Sequence, residues 1–491
     1  MQYDVIVVGG GGSGLATAVS ALQEGARVLV LEKNEQLGGT TGIAIGSFTT
    51  AETRFQRSAG VSDSVRDHIE DAGKFAPPEI EARNNDELRA FFLENSADTL
   101  TWMESLGVQF VGPHPEPPNR QPRMHNATAG AKAYIAAMQL EVQRHGGDII
   151  CAARVRELIR DAGRVAGVCY WNGTVETRVS SHTVVLAGGD YSSNPELIAR
   201  YKGDQYREIE GINPFADGSS HDLAEQVGAK LLNMDITYGP ELRFVAGASK
   251  PFQQWLPATG RGARLVGFLA QRAPRWLVKK MIKRLLVTWQ HPEDALFDDG
   301  AILLNKRARR FVDETKWPDR EIATAEQEDK TGFIYLDKAL VERYSQWPHF
   351  ISTAPDIAYA YARDYLRLRP DVAVRGDLAK LAAARELPID ELKKTIQSQR
   401  GGAEFDANDG MLLGPVKAYF TTTEGGAAVN RRLQVLDDCG EPIRGLYAAG
   451  QTGSGGMVLF GHGLHIAWAL TSGRLAGKQA AAEATDPTAG R

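Results

Sequence analysis

Gly9, Gly11 and Gly14 stand in the run Val8-Gly-Gly-Gly-Gly-Ser-Gly at the spacing G-x-G-x-x-G, a pattern suited to gripping the diphosphate of a dinucleotide. Gly9 permits a tight turn after a strand, Gly11 lets the backbone approach the phosphates, and Gly14 lets a helix pack closely on that strand. Gly12 and Ser13 lie where the free N–H groups and the positive end of a helix dipole favour an anion. Glu32 follows Gly14 by 18 positions, where a carboxylate accepts hydrogen bonds from a ribose diol, and Lys33 comes next. Glycines alone would be a weak pattern. Here the acid completes it.

The elements that must position these residues are legible too. Residues 3–8 form a short apolar run that predicts a buried parallel strand, and Ser13 to Glu24 reads as a helix. Arg27 to Leu31 predicts a second strand that ends in Glu32, so the chain opens as a βαβ unit. A further strand, Thr183 to Leu186, runs into Ala187-Gly188-Gly189. From about 240 to 410 the chain carries more Trp, Tyr, Arg and Pro, which reads as an inserted domain. The expected class is α/β, with a two-part Rossmann-like dinucleotide-binding domain at 1–239 and 410–491 and an α+β capping domain at 240–409.

FAD rather than NAD is indicated by Gly38-Gly39-Thr40-Thr41-Gly42 soon after the acid, and by the lack of a second dinucleotide fingerprint. Together with Glu32-Lys33, Ala187-Gly188-Gly189, Gly300-Ala301-Ile302, Arg310-Phe311 and Gly445–Gly450, these residues resemble the fumarate reductase and 3-ketosteroid Δ1-dehydrogenase flavoproteins, in order along nearly the whole chain. The resemblance implies a cap over the flavin ring, substrate between cap and flavin domain, and flavin contacts from Gly450, Gln451, Gly463, Leu464 and Ile466. Relatives with covalent FAD attach it through a histidine shortly after Gly-Gly-Thr. Thr41-Gly42-Ile43-Ala44 stands there, so non-covalent FAD is expected.

The same resemblance points to catalytic segments. Arg310 to Arg320 is similar to the dehydrogenase stretch in which a proton-abstracting tyrosine precedes Asp-Arg, but Pro318 holds the tyrosine's place. Arg320 stands near the arginine acid of fumarate reductases; the alternative reading is a structural pair with Asp319 or Glu314. Threonines 421–423 replace a substrate-binding histidine, and Phe460 replaces a carboxylate-clamping arginine, so a C4 dicarboxylate fits poorly. Gly463 matches the glycine whose backbone amide polarises a ketone. His462, between Gly461 and Gly463, is the leading polar group for catalysis or carbonyl binding, or else a histidine that only bonds flavin or backbone. Tyr419 is a second source of a phenol. His465 is read as packing in a helix, while Arg123 and His125 are read either at the cleft or as solvated loop residues.

The leading expectation is therefore hydride transfer between flavin N5 and a carbon–carbon bond beside a carbonyl, dehydrogenating a hydrophobic ketone such as a 3-ketosteroid. Reduction of an α,β-unsaturated acid, with Arg320 as acid, is the second reading. A membrane-associated flavin-binding protein without this chemistry is a third. The first two need a small substrate and an electron acceptor or donor whose identity the residues do not fix.

Composition narrows the setting. Over 491 residues, 43% hydrophobic and 24% charged, the net charge is -5, so no basic field suits nucleic acid. Cys151, Cys169 and Cys439 show neither a disulfide framework nor metal-ligand spacing, which suits a reducing cytoplasm. A first strand at Tyr3 leaves no room for a signal peptide, and no apolar run approaches the roughly 18–20 residues that cross a bilayer. Against this acidic background, residues 264–290 hold seven Lys or Arg and no acid. Val278, Met281, Ile282, Leu285, Leu286 and Trp289 share a helical face, with Lys279, Lys280, Lys283 and Arg284 opposite. That pattern suits either peripheral contact with an anionic membrane, at its inner face, or packing on protein.

Overall fold

A computed structural model describes residues 2–245, 247, 252–289, 291–399 and 409–485, apart from the side chains of Phe252, Arg275, Val278, Lys279, Trp289 and Gln399. The chain opens with β1 (Tyr3–Val8), α1 (Gly12–Gln23) and β2 (Val28–Leu31), and the two strands are parallel with Val8 opposite Leu31. β3 (Glu176–Leu186) lies on the other side of β1, with Leu186 opposite Val8. Residues 5–8 and 28–31 are buried almost completely, because a parallel sheet covered on both faces has no solvent side for polar residues.

The chain then enters the cap. β4 (Glu241–Phe244) is followed by helices α2 (Gly260–Gln271) and α3 (Arg275–Trp289). The cap's central strand, β5 (Gly410–Phe420), pairs with β4, with Gly332–Asp337 and with Ala373–Gly376. β5 also takes Glu210–Gly211 as a parallel partner, so the cap's sheet draws on residues either side of the stretch 240–409. The chain rejoins the first sheet through Gln434–Leu436 and β6 (Pro442–Ala448), whose Ala448 lies opposite Leu186 of β3. The apolar cores follow this division: one around β1, α1 and β3, and two in the cap, around Leu242, Phe244, Ile334 and Phe420 and around Leu304, Phe333 and Leu412.

These registers align the carboxyl ends of β2, β1, β3 and β6 in one row. The residues that follow them are Glu32, Gly9, Ala187 and Ala449, so segments far apart in sequence open on one crevice. The last helix, α4 (Leu464–Thr485), closes the domain against α1. A Cβ on Gly473 would overlap Ser13 O, so this close approach requires a glycine.

The basic stretch is two helices rather than one, separated at Ala273-Pro274. On α3, Leu286 and Val287 are buried and Ile282 packs on the cap core. Lys283 does not face outward with the other cations; its Nζ reaches Asp364 Oδ2 at 2.9 Å and lies over the Tyr361 ring. α3 is thus a packed helix. The side chains of Val278, Lys279 and Trp289 lie outside the described residues. Among the described residues no helix is long and apolar enough to cross a membrane.

Candidate functional site

At the start of α1 the first backbone bond within the turn runs from Leu15 N–H to Gly11 O at 3.0 Å, and Gly11 offers no capping side chain. The amides before Leu15 therefore have no partner within the helix, as an anion site requires. A Cβ on Gly14 would collide with Gly9 O, whereas one on Gly11 would meet no protein atom nearer than Gly38 O at 3.8 Å. Gly14 serves packing. Gly11 leaves space for a ligand.

One elongated cavity runs from this turn to the cap. Its first end is walled by Gly9, Gly11, Gly12, Ser13, Glu32, Lys33 and Ala153–Val155. Glu32 is buried, accepting from Gly10 N–H at 2.7 Å and Asn34 N–H at 2.9 Å. Lys33 donates to Phe215 O at 2.6 Å and pairs with Asp217. The middle is formed by Gly39, Thr40, Thr41 and Ala187–Asp190, with Thr40 Oγ1 accepting from Asn213 Nδ2 at 2.9 Å. Gln451, Gly463 and Ile466 line the far end. Gly38, Gly42, Gly450 and Leu464 stand behind this lining: Gly38 N–H bonds Gly10 O, Gly42 N–H bonds Gly38 O, and Gly450 is held by Ser472 and Trp468. Leu464 is buried in the first core.

The donor set fits FAD. Free amides and a helix dipole suit the diphosphate, Glu32 suits the ribose, and the cavity continues unbroken to the histidines at the cap. Ser220 Oγ, on the cavity wall, is buried with no protein partner among the described residues, as an atom awaiting a ligand would be.

At the cap end His462 faces the cavity, about half exposed. Glu116 Oε1 receives its Nδ1 at 2.6 Å and its backbone N–H at 2.8 Å. Burial alone would lower the imidazole's pKa, but the Glu116 hydrogen bond and charge, helped by Glu241, raise it above the ordinary value. Gly463 turns with φ +81°, and a Cβ there would stand 2.7 Å from Thr49 Oγ1. Only glycine fits. Thr49 in turn donates to His462 O at 2.6 Å.

His465 also lines the cavity, with Nε2 2.7 Å from Oε1 of the fully buried Glu424, so it does more than pack in α4. Tyr238 and Arg243, which the sequence reading did not single out, complete the wall. The Tyr238 ring stacks on Phe460 with centroids 5.1 Å apart, and burial raises its phenol's pKa well above the ordinary value. Arg243 pairs with Glu241 at 2.8 Å and donates to Thr421 at 3.2 Å.

Four of the residues singled out in the sequence lie elsewhere. Arg320 is buried inside the cap, with Nη2 2.6 Å from Glu321 Oε1 and 2.7 Å from Asp294 Oδ1, and it is not part of the cavity wall. The structural pairing accounts for it, through partners other than Asp319. Tyr419 is not part of the wall: it lies across from Glu241, and burial beside Glu210 pushes its phenol up to about 12. Arg123 is fully buried between Asp63 and Asp71, and His125 is buried with Nε2 2.9 Å from Thr53 Oγ1. The proline-rich loop instead contributes Glu116.

Residues 4–244 and 258–462 match the FAD binding domain family. The chain is 26% identical to an NADH:fumarate oxidoreductase of Klebsiella pneumoniae over 98% of its own length, spanning about half (48%) of that relative. It is 25% identical to a vinyl phenol reductase of Lactiplantibacillus plantarum, with 98% and 96% of the two chains covered. Among solved structures, an open flavocytochrome c3 fumarate reductase superposes with a TM-score of 0.73 at 24% identity, covering 99% of this chain and 79% of that one. A 3-ketosteroid Δ1-dehydrogenase of Sterolibacterium denitrificans gives 0.64 at 17%, covering 98% and 99%. The chain belongs to the FAD binding domain family, and it is similar in sequence to fumarate reductases and in fold to a ketosteroid dehydrogenase.

Proposed function

We propose that the chain reduces a carbon–carbon double bond conjugated to a carbonyl in a small, neutral, hydrophobic substrate, with the reverse dehydrogenation open to it when an electron acceptor is supplied. FAD, when bound, provides the hydride chemistry of its N5. His462 is the proton donor. Glu116 occupies Nδ1, so Nε2 is the atom a substrate meets, and the raised pKa favours the protonated ring. That proton goes to the carbon beside the carbonyl, and the hydride to the next carbon, which balances the addition of two hydrogens. Tyr238 stays a neutral phenol and donates to the carbonyl oxygen.

A neutral substrate is favoured because each of three basic side chains at the cap end already faces a carboxylate. His462 has Glu116, His465 has Glu424, and Arg243 has Glu241. An added carboxylate would have to displace one of these, at the cost of leaving a buried acid unpaired. The stacked Tyr238 and Phe460 rings offer apolar surface instead. The second reading, an α,β-unsaturated acid held by Arg243, is supported by the names of similar proteins, the fumarate oxidoreductase above and a urocanate reductase of Eggerthella lenta at 27% identity.

Anaerobic photoreduction followed by mixing with candidate acceptors distinguishes the two. Cyclic enones and 3-ketosteroids should restore the oxidised flavin spectrum, and fumarate and urocanate should not. Reoxidation by the acids alone would overturn the neutral-substrate reading in favour of the second.

A further inference from the structure

α2 is built inside out. Its small residues Ala263 and Gly267 are buried, and a Cβ on Gly267 would stand 2.7 Å from Gln109 Cβ, so this side lies tight on the flavin domain. Gln271 fastens the same side through Nε2 to Phe110 O at 3.1 Å. The opposite side carries Leu265, Phe268 and Leu269 at 60%, 51% and 58% exposure. Trp255, before the helix, is 80% exposed, and Trp276, just after the turn into α3, is 67% exposed. A globular helix ordinarily turns its large apolar residues inward, so this arrangement needs a second apolar phase.

The charge around it identifies that phase. From 242 to 292 the chain has no Asp or Glu, within a protein of net charge -5. Arg261, Arg264, Arg272, Lys280 and Arg284 are all exposed here, and the Arg272 guanidinium lies 3.7 Å over the Phe268 ring. Tryptophan at the edges, leucine and phenylalanine between, and cations around them are the composition of a helix lying in a lipid headgroup region. A protein partner would need no such uniform sign of charge.

We propose that the outer face of α2, with Trp255 and Trp276, rests on an anionic phospholipid bilayer. On α3, Ile282, Leu286 and Val287 are taken up by the cap core. β4 precedes the hairpin and His291 follows it, with Nδ1 3.7 Å from Glu241 of that strand. The membrane face is therefore rooted at the carboxylate that pairs with Arg243 in the cavity wall, next to where a hydrophobic molecule would be taken up. The surface proposal does not depend on the substrate reading.

Co-sedimentation of the full-length, FAD-loaded chain with vesicles tests it. The protein should pellet with vesicles of equal parts phosphatidylglycerol and phosphatidylcholine at low salt, and stay in solution with phosphatidylcholine alone. Phe268→Glu with Leu269→Glu should abolish pelleting. Arg264→Ala with Arg272→Ala should weaken it by at least about tenfold, at about fivefold for each cation removed. All four side chains are exposed, so retained flavin colour confirms that the variants fold. Failure to pellet at low salt, or pelleting unchanged in both variants, would overturn the proposal. So would light scattering that shows the wild type self-associating through this face and the Phe268/Leu269 variant as a monomer.

Discussion

Glu116 Oε1 holds both the backbone N–H and the ring Nδ1 of His462, across 346 positions of sequence. A single carboxylate oxygen thus fixes where the imidazole sits, which tautomer it adopts and how strongly it keeps its proton.

His462→Ala should leave the protein yellow and folded but slow reoxidation of the reduced flavin by an enone about 100-fold or more, the scale of a lost general acid. Rapid mixing after photoreduction measures this. An unchanged rate would remove His462 from the chemistry.

Glu116→Gln should move the alkaline limb of the pH–rate profile to lower pH, because it removes the carboxylate that raises the His462 pKa. Stability follows the same sign. With a raised folded-state pKa, the contribution of the His462–Glu116 pair is fully present below the unfolded histidine value of about 6.5 and is lost as pH rises through the folded value. The melting temperature of the wild type should therefore fall across that window more than that of Glu116→Gln.

Gly11→Ala and Gly14→Ala should separate binding from folding. Gly11→Ala meets no protein atom within 3.8 Å, so it should fold and lose FAD affinity by about tenfold or more. Gly14→Ala overlaps Gly9 O and should destabilise even the apoprotein, by about 1–3 kcal/mol. Flavin titration and thermal melts of both variants check the contrast.

Arg320→Ala should behave as a structural lesion. It leaves the buried Glu321 without its guanidinium, so a loss of about 3–5 kcal/mol is expected, with the surviving folded enzyme turning over near the wild-type rate. A large fall in the rate of fully folded enzyme would restore Arg320 to the mechanism.

The FAD crevice was legible in the sequence because its signature is local. The glycines, the strand before them and Glu32 fall within one βαβ unit, and each has a backbone reason to be where it is. The cap end was only partly legible. His462 stood out between two glycines, but Glu116 reaches it, and Tyr238 stacks on His465, through packing that no spacing records. Tyr419 and Thr421 lie two apart, yet only Thr421 lines the cavity, because the strand ends at Phe420 and the alternation ends with it. The basic stretch shows the same limit. Helical periodicity found the stripe on α3, but the exposed apolar face belongs to α2, and only the contacts of Ala263, Gly267 and Lys283 show which sides are taken.

The most direct test is anaerobic single-turnover reoxidation of the photoreduced protein by a 3-ketosteroid enone, followed at the flavin absorbance for the wild type and His462→Ala side by side. The enone should reoxidise the wild type rapidly and the variant about 100-fold more slowly, with FAD retained in both. Protein that binds no flavin, or equal rates in the two proteins, would contradict the account.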